Sequence, residues 1–128
     1  MDKATYWDYI SLSASHAAIG LTDWYMDFPD PSDFVGPLYT HPSEGSSNAN
    51  FYTNPEVEAL YKASNTELDP AKRLDMFVQM QDIIMGDAPS AILYQPVFNG
   101  MFGKNVGGYY YHQVWNLQFQ EMWKLDGK

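Results

Sequence analysis

Residues 21–34 read Leu21-Thr22-Asp23-Trp24-Tyr25-Met26-Asp27-Phe28-Pro29-Asp30-Pro31-Ser32-Asp33-Phe34, and the fold turns on how they are read. Fourteen residues hold four carboxylates and four aromatic rings. Pro29 and Pro31 forbid a continuous helix or a central strand, and each pushes the residue before it towards extended geometry. The stretch is therefore an irregular segment that presents acids and rings at fixed places. Such loops carry function more often than cores do. Rings supply flat apolar walls, and a partly desolvated Asp supplies a counter-charge for a cation. Trp24 and Asp27 are the candidates for this recognition chemistry, with Tyr25 and Met26 between them. Asp30 and Asp33 have a simpler explanation. Asp30-Pro31-Ser32-Asp33 is helix-start chemistry, so both acids are expected to serve as caps of a short helix over 32–39.

Upstream, residues 16–25 form an apolar run of strand length with Gly20 inside it, which predicts a short buried strand. That strand would deliver Trp24 and Asp27 to its C-terminal end, where α/β sheets bind ligands. Residues 4–10 suit a short helix or a strand end. Downstream, Pro42, Gly45, Ser46, Ser47 and three Asn make 40–54 a loop. Asn54 before Pro55 starts a helix, with Val57, Leu60 and Tyr61 on its apolar face. Asp69-Pro70 starts a second helix in the same way. Its apolar residues include Leu74, Phe77, Val78, Ile84 and Met85, and Gly86 is expected to end it before Pro89. Residues 90–98 read as a strand, Asn99-Gly100 as a turn, and Met101-Phe102-Gly103 as a segment that pairs back. Residues 109–123 are rich in Tyr and Trp, and the alternation at 115, 117 and 119 favours a strand.

The chain has 128 residues, enough for one domain with a core. Charged residues are 18% against 45% hydrophobic, which makes it globular. Aromatics reach 16%, so rings are expected in a groove or interface as well as in the core. A net charge of −9 repels nucleic acid and anionic membranes. The absence of cysteine excludes disulfides, thiolate zinc sites and cysteine nucleophiles.

Asp23, Asp27, Asp30 and Asp33 do not have the spacing of a calcium loop, and the prolines obstruct such a wrap. His16, His41 and His112 fit no ligand pattern. No Gly-x-Ser-x-Gly occurs, and Gly103-Lys104-Asn105-Val106-Gly107-Gly108 is not a phosphate loop. No metal, cofactor or catalytic residue is therefore expected. One enzyme reading stays open: Asp27 with Asp23 or Asp30, beside Trp24, as a glycosidase-like carboxylate pair. A free-standing interaction module with an aromatic surface is the other alternative.

The order of these signals resembles a known family. Trp24-Tyr25-Met26-Asp27-Phe28-Pro29-Asp30-Pro31-Ser32-Asp33-Phe34 is similar to the Trp-x-x-Asp-x-x-Asp-Pro-x-x-Phe segment of the family 5 extracellular solute-binding proteins, the oligopeptide and dipeptide receptors of ABC importers. Asn50-Phe51-Tyr52-Thr53-Asn54-Pro55-Glu56-Val57-Glu58-Ala59-Leu60 resembles the family's Asn-x-x-x-Asn-Pro-Glu-x-Asp-x-Leu. Arg73, Phe77 and Gln81 match its Arg-x-x-x-Tyr-x-x-x-Gln helix, with Phe for Tyr. Asp87-Ala88-Pro89-Ser90-Ala91-Ile92-Leu93-Tyr94 resembles its Ala-Pro-x-Ile-Pro-Leu-Tyr strand without the second proline, and Val106-Gly107-Gly108-Tyr109 its Val-x-Gly-Tyr. The five pieces stand in order over about residues 16–123.

The resemblance implies an α/β fold, on the borderline with α+β. It implies a single domain over 1–128, the C-terminal lobe segment of a two-lobed binding protein with a mixed sheet and flanking helices. Residues 90–128 would return towards the other lobe. It implies hinge closure on a ligand and no catalysis. The Asp at the position of Asp27 would pair with a peptide's α-ammonium group, and the Trp at the position of Trp24 would line the cleft, with Tyr25 and Met26 as further contacts. The partners implied are a small peptide or other solute and, through the full-length protein, a membrane permease. The location implied is extracellular or periplasmic, in a lipid-anchored or secreted protein. Aromatic surface left without the other lobe is expected to make this chain a homodimer or larger species.

Overall fold

Two Asx-Pro pairs start the helices around which the first part of the fold is built. The structure, a computed structural model, describes residues 2–12, 18–43, 45–97, 99–112, 114 and 116–125. The chain divides into two units, Met1–Trp24 with Asp30–Ala91, and Tyr25–Pro29 with Ile92–Lys128.

Among the described residues the first unit holds four helices. Helix α1 spans Lys3–Ile10, and its start is capped by Asp2, which accepts from the Thr5 amide at 2.9 Å. Helix α2 spans Ser32–Tyr39, α3 spans Pro55–Ser64 and α4 spans Pro70–Asp87. Asn54 Oδ1 accepts from the Glu56 amide at 2.9 Å, and Asp69 Oδ1 from the Ala71 amide at 2.9 Å. In both helices proline takes the first position, where no amide hydrogen is needed. The core lies between α3 and α4. Val57, Phe77, Met80 and Ile84 are buried, and Val35, Tyr39, Tyr52, Leu60, Tyr61 and Ile83 pack against them. Positions 77, 80 and 84 recur at spacings of three and four, the period of one helix face. Gly36 of α2 lies against the Tyr61 ring, where a β-carbon would overlap the phenol. The loop between α2 and α3 is folded around Asn48. This buried side chain donates to the Tyr52 carbonyl at 2.8 Å and accepts from the Tyr52 amide at 3.1 Å.

Among the described residues the second unit contains two antiparallel ladders. Strand β1 (Val106–Gly107) pairs with β4 (Trp123–Lys124), and β2 (Tyr111–His112) pairs with β3 (Asn116–Leu117). The β2–β3 ladder is nested in sequence within the loop that β1 and β4 close. A 3₁₀ turn over Phe119–Glu121 precedes β4. Gly107 and Gly108 are required here. The Trp123 indole occupies the space of a β-carbon on Gly107, and Gly108 has φ 71° with the Glu121 carbonyl against it. The Phe102 and Tyr109 rings lie 3.9 Å apart between centroids.

Helices together with small sheets fit the α/β expectation at that level. The β-structure among the described residues is two short antiparallel ladders rather than a mixed sheet. Several element expectations are corrected. Residues 18–25 of the expected strand over 16–25 are neither paired nor buried, and Ile19 is 94% exposed. His16 and Ala17 lie outside the described residues. An apolar run becomes a strand only when another strand exchanges hydrogen bonds with it. The contact that Leu21 makes instead is with the Tyr6 hydroxyl, which receives its amide hydrogen and donates to its carbonyl. Residues 90–97 and Met101-Phe102-Gly103 are likewise unpaired, for the same reason; Phe98 lies outside the described residues, as does Trp115 of the expected alternation. Helix α4 does not end at Gly86. It runs to Asp87, and Ala88 takes the left-handed cap position with φ 50°. Pro89 bars Ala88 from continuing the helix. Leu74, Val78 and Met85 are half exposed or more, while Met80, absent from the expected face, is fully buried.

Candidate functional site

The acid-rich stretch is sorted by its contacts. Trp24 is half-buried, and its indole Nε1 donates to Asp33 Oδ2 at 3.3 Å. Asp33 is buried in the first turn of α2. Asp30 forms a two-pronged ion pair with Arg73 of α4: Nη1 donates to Oδ2 and Nη2 to Oδ1, both at 2.8 Å. Asp30 Oδ1 also accepts from the Ser32 amide at 2.9 Å. The expectation that Asp30 and Asp33 act as caps holds for Asp30 and is corrected for Asp33. Asp30 retains a capping bond, but its principal partner is a guanidinium 43 residues away, and Asp33 serves as the acceptor for Trp24.

Arg73 is held on three sides. Besides Asp30, its Nε donates to the Ser64 carbonyl at 3.1 Å, and its Cζ lies 4.9 Å from the centroid of the Phe77 ring. The Arg73 guanidinium holds the Asp30 carboxyl well below the usual carboxylate range, against the opposing effect of burial. The pair in turn raises Arg73.

Of the residues singled out in the sequence, Trp24 belongs to the first unit, and Tyr25, Met26 and Asp27 belong to the second. Tyr25 and Asp27 are exposed and Met26 is half-buried. The residues on either side of the Tyr25–Pro29 segment, Trp24 and Asp30, are therefore each bonded within the first unit. Tyr25 and Asp27 thus put a ring and a carboxylate at the surface within three residues of each other in sequence.

Sequence reasoning missed three polar links. The resemblance motifs contain both Asp30 and Arg73, yet nothing local pairs them. Tyr52 Oη and Asn54 Nδ2 both donate to Asp87 Oδ2, at 2.7 and 2.8 Å. His41, with φ 46°, directs its backbone amide and its Nδ1 to the Glu58 carboxylate, at 2.9 and 3.2 Å. A depression of about 290 Å³ beside it is lined by His41, Glu58, Ala59, Tyr61, Lys62 and Asn65, and it contains none of the candidate binding residues Trp24, Tyr25, Met26 and Asp27. Among the described residues no three His, Cys, Asp or Glu converge as metal ligands, and no helix is long and apolar enough to cross a membrane.

No family model and no solved structure matches the chain. Two curated relatives do. The probable D,D-dipeptide-binding periplasmic protein DdpA of Escherichia coli is 29% identical over 120 residues, 90% of this chain. The oligopeptide-binding protein OppA of Bacillus subtilis is 30% identical over 95 residues, 73% of this chain. The chain spans only 23% of the first relative and 17% of the second. Both relatives are binding proteins rather than enzymes by name. Both are family 5 solute-binding proteins, and their similarity over most of this chain shows its resemblance to that family.

Proposed function

We propose that this chain is a ligand-binding part of an extracellular solute-binding receptor, one that captures peptides or related small solutes for an ABC importer. The observation that carries the reading is the similarity to two peptide-binding relatives over 90% and 73% of the chain. In this reading the chain belongs to the C-terminal lobe of a longer protein outside the cytoplasm, lipid-anchored or secreted, that hands its cargo to a membrane permease. Asp27 is the counter-charge for the peptide's α-ammonium group. Trp24 supplies an aromatic wall, and Tyr25 and Met26 are further contacts.

Physical chemistry supports these roles. A carboxylate in a cleft holds an ammonium by charge-assisted hydrogen bonds, whereas a ring contacts any side chain without specifying it. The Trp24 indole donates to Asp33, which restricts the orientations of the ring before a ligand arrives.

Isothermal titration of the native polypeptide that carries this sequence tests the reading. Trialanine is expected to bind. N-acetyl-trialanine, which lacks the ammonium, is expected to bind about tenfold or more weakly, the worth of a hydrogen bond to a charged group. Asp27→Asn is expected to remove that difference. Absence of saturable binding to free-amine peptides, or equal affinity for both ligands, would overturn it.

A further inference from the structure

We infer that Asp33 is a positioning residue for the Trp24 ring and makes its face a subsite for a cationic side chain, the lysine or arginine of a bound peptide. The inference rests on the reading of Trp24 as a wall of the binding site, and it adds the chemical class that this wall selects.

Asp33 and Trp24 belong to the same unit. Asp33 stands in the first turn of α2 and is 3% exposed. A buried carboxylate is costly unless hydrogen bonds meet its charge, and the positive end of a helix dipole lowers that cost. Its Oδ2 accepts from the Trp24 indole Nε1 at 3.3 Å. The helix that carries it is well anchored. Val35 and Tyr39 pack against the core, Gly36 lies against the Tyr61 ring, and the Tyr39 and Ser90 hydroxyls are 3.0 Å apart. Residues 19–26, by contrast, belong to no helix or strand. The bond to α2 therefore gives the Trp24 ring a bearing that an irregular segment does not supply by itself.

The same bond decides what the ring offers. Its N–H is engaged, so carbon surface is what remains for a ligand. The face of Trp attracts cations more strongly than that of any other side-chain ring. A carboxylate that accepts the N–H draws the proton towards itself and leaves more electron density on the ring. It also sets a negative charge at the edge of the indole. Both effects favour an ammonium or guanidinium group over the face, and neither helps a neutral side chain. Trp24 is half-buried, which leaves part of its surface open to such a contact.

Isothermal titration of the native polypeptide that carries this sequence, with substituted trialanines, is the test. One alanine at a time is replaced by lysine or by norleucine, which has the same carbon chain without the ammonium group. At one position at least, the wild type is expected to bind the lysine peptide about fivefold more tightly than the norleucine peptide. Asp33→Asn keeps an acceptor for the indole and removes the charge. It is expected to bring the preference below about twofold and to leave affinity for the norleucine peptide within about twofold of the wild type. Trp24→Phe is expected to lose the preference as well. Asp75→Asn removes an exposed charge on α4 and is expected to keep it, which separates a local effect from the net charge of the chain. A wild type that binds trialanine without preferring lysine at any position overturns the inference and leaves the receptor reading in place. So does a preference that Asp33→Asn preserves or that Asp75→Asn removes equally. Absence of tripeptide binding overturns both.

The indole N–H resonance of Trp24, identified by its loss in Trp24→Phe, gives a readout free of ligand. Its proton is expected to move upfield in Asp33→Asn, where a neutral oxygen accepts in place of a charged one, and to stay in place in Asp75→Asn. An unmoved resonance in Asp33→Asn also overturns the inference.

Discussion

Tyr52 Oη donates to Asp87 Oδ2 at 2.7 Å, so a ring two residues before the cap of α3 is bonded to the last residue of α4. Asn54 donates to the same oxygen. One carboxylate therefore holds one end of the helix pair closed while the core fills the space between. These bonds hold the Asp87 carboxyl below its ordinary value. Burial and the bond to Asp87 push the Tyr52 phenol up to about 12 from 10. A group raised in the folded state contributes stability that is fully present below its unfolded value and is lost as pH rises through the folded one. The window here is pH 10 to 12. Tyr52→Phe is expected to cost about 1 kcal/mol at neutral pH, the net worth of one hydrogen bond. It should also flatten the alkaline loss. Denaturant unfolding at pH 7 and pH 11 checks this, and an alkaline loss as steep as in the wild type would count against it.

Acid acts through Asp30 with the opposite sign. Its carboxyl is depressed in the folded state from an ordinary 3.8, so its contribution is present above that value and fades as pH falls further, when the unfolded chain takes up the proton first. The pair is partly exposed, which limits its worth to the order of 1 kcal/mol. Asp30→Asn is expected to lose that amount at neutral pH and to melt with a shallower acid limb below pH 4. Melting curves between pH 2 and pH 7 measure it.

The two helices of the hairpin were legible because their signals are local. Asn54-Pro55 and Asp69-Pro70 act within one turn, and the structure places both caps where the sequence does. The face of α4 was less legible, because two apolar stripes run along it. Phe77, Met80 and Ile84 form one, Leu74, Val78 and Met85 the other, and only contact with α3 selects the first. The strands were not legible at all from the apolar runs at 16–25 and 90–98. A strand depends on a partner distant in sequence, and periodicity does not name the partner. The acids of the candidate site were visible as a group, but their division of labour depends on Arg73, 43 residues from Asp30.

Substitution separates the two stripes. Met80 is fully buried and Leu74 is 58% exposed. Met80→Ala is expected to cost about 2–5 kcal/mol, since it removes buried methylenes and leaves a cavity. Leu74→Ala is expected to stay within about 1 kcal/mol. Urea titration of both variants decides, and equal losses would mean that the second stripe is also packed.

Asn48 is the polar counterpart of that core. It is buried, and its amide bonds both backbone groups of Tyr52, beside Phe51 with φ 52°. Asn48→Ala leaves those groups without their partner, and the expected cost is about 1–3 kcal/mol. Asn48→Asp keeps the acceptor for the Tyr52 amide but puts a carboxylate oxygen where the donor to the carbonyl stood. It is expected to be no more stable than the alanine variant at neutral pH and to recover as acid protonates it. A stability profile of the two variants against pH checks the order.

The exposed apolar side chains of the second unit predict self-association. Ile92, Leu93, Tyr94 and Val97 follow one another along an unpaired segment, with Ile92 72% and Val97 81% exposed. Burying a large apolar side chain is worth about 1.5–3 kcal/mol, so a run of four carries a driving force large enough to offset much of the entropy of association. Exposed apolar side chains grouped along one segment suit a surface that another surface covers. This chain is expected to form a homodimer or larger species, with an average mass that rises with concentration in light scattering. Ile92→Asp with Val97→Asp places two charges in the patch and is expected to return the protein to its monomer mass of 14.6 kDa. A wild type that stays monomeric across the concentration range would show that the patch does not drive association of this chain with itself.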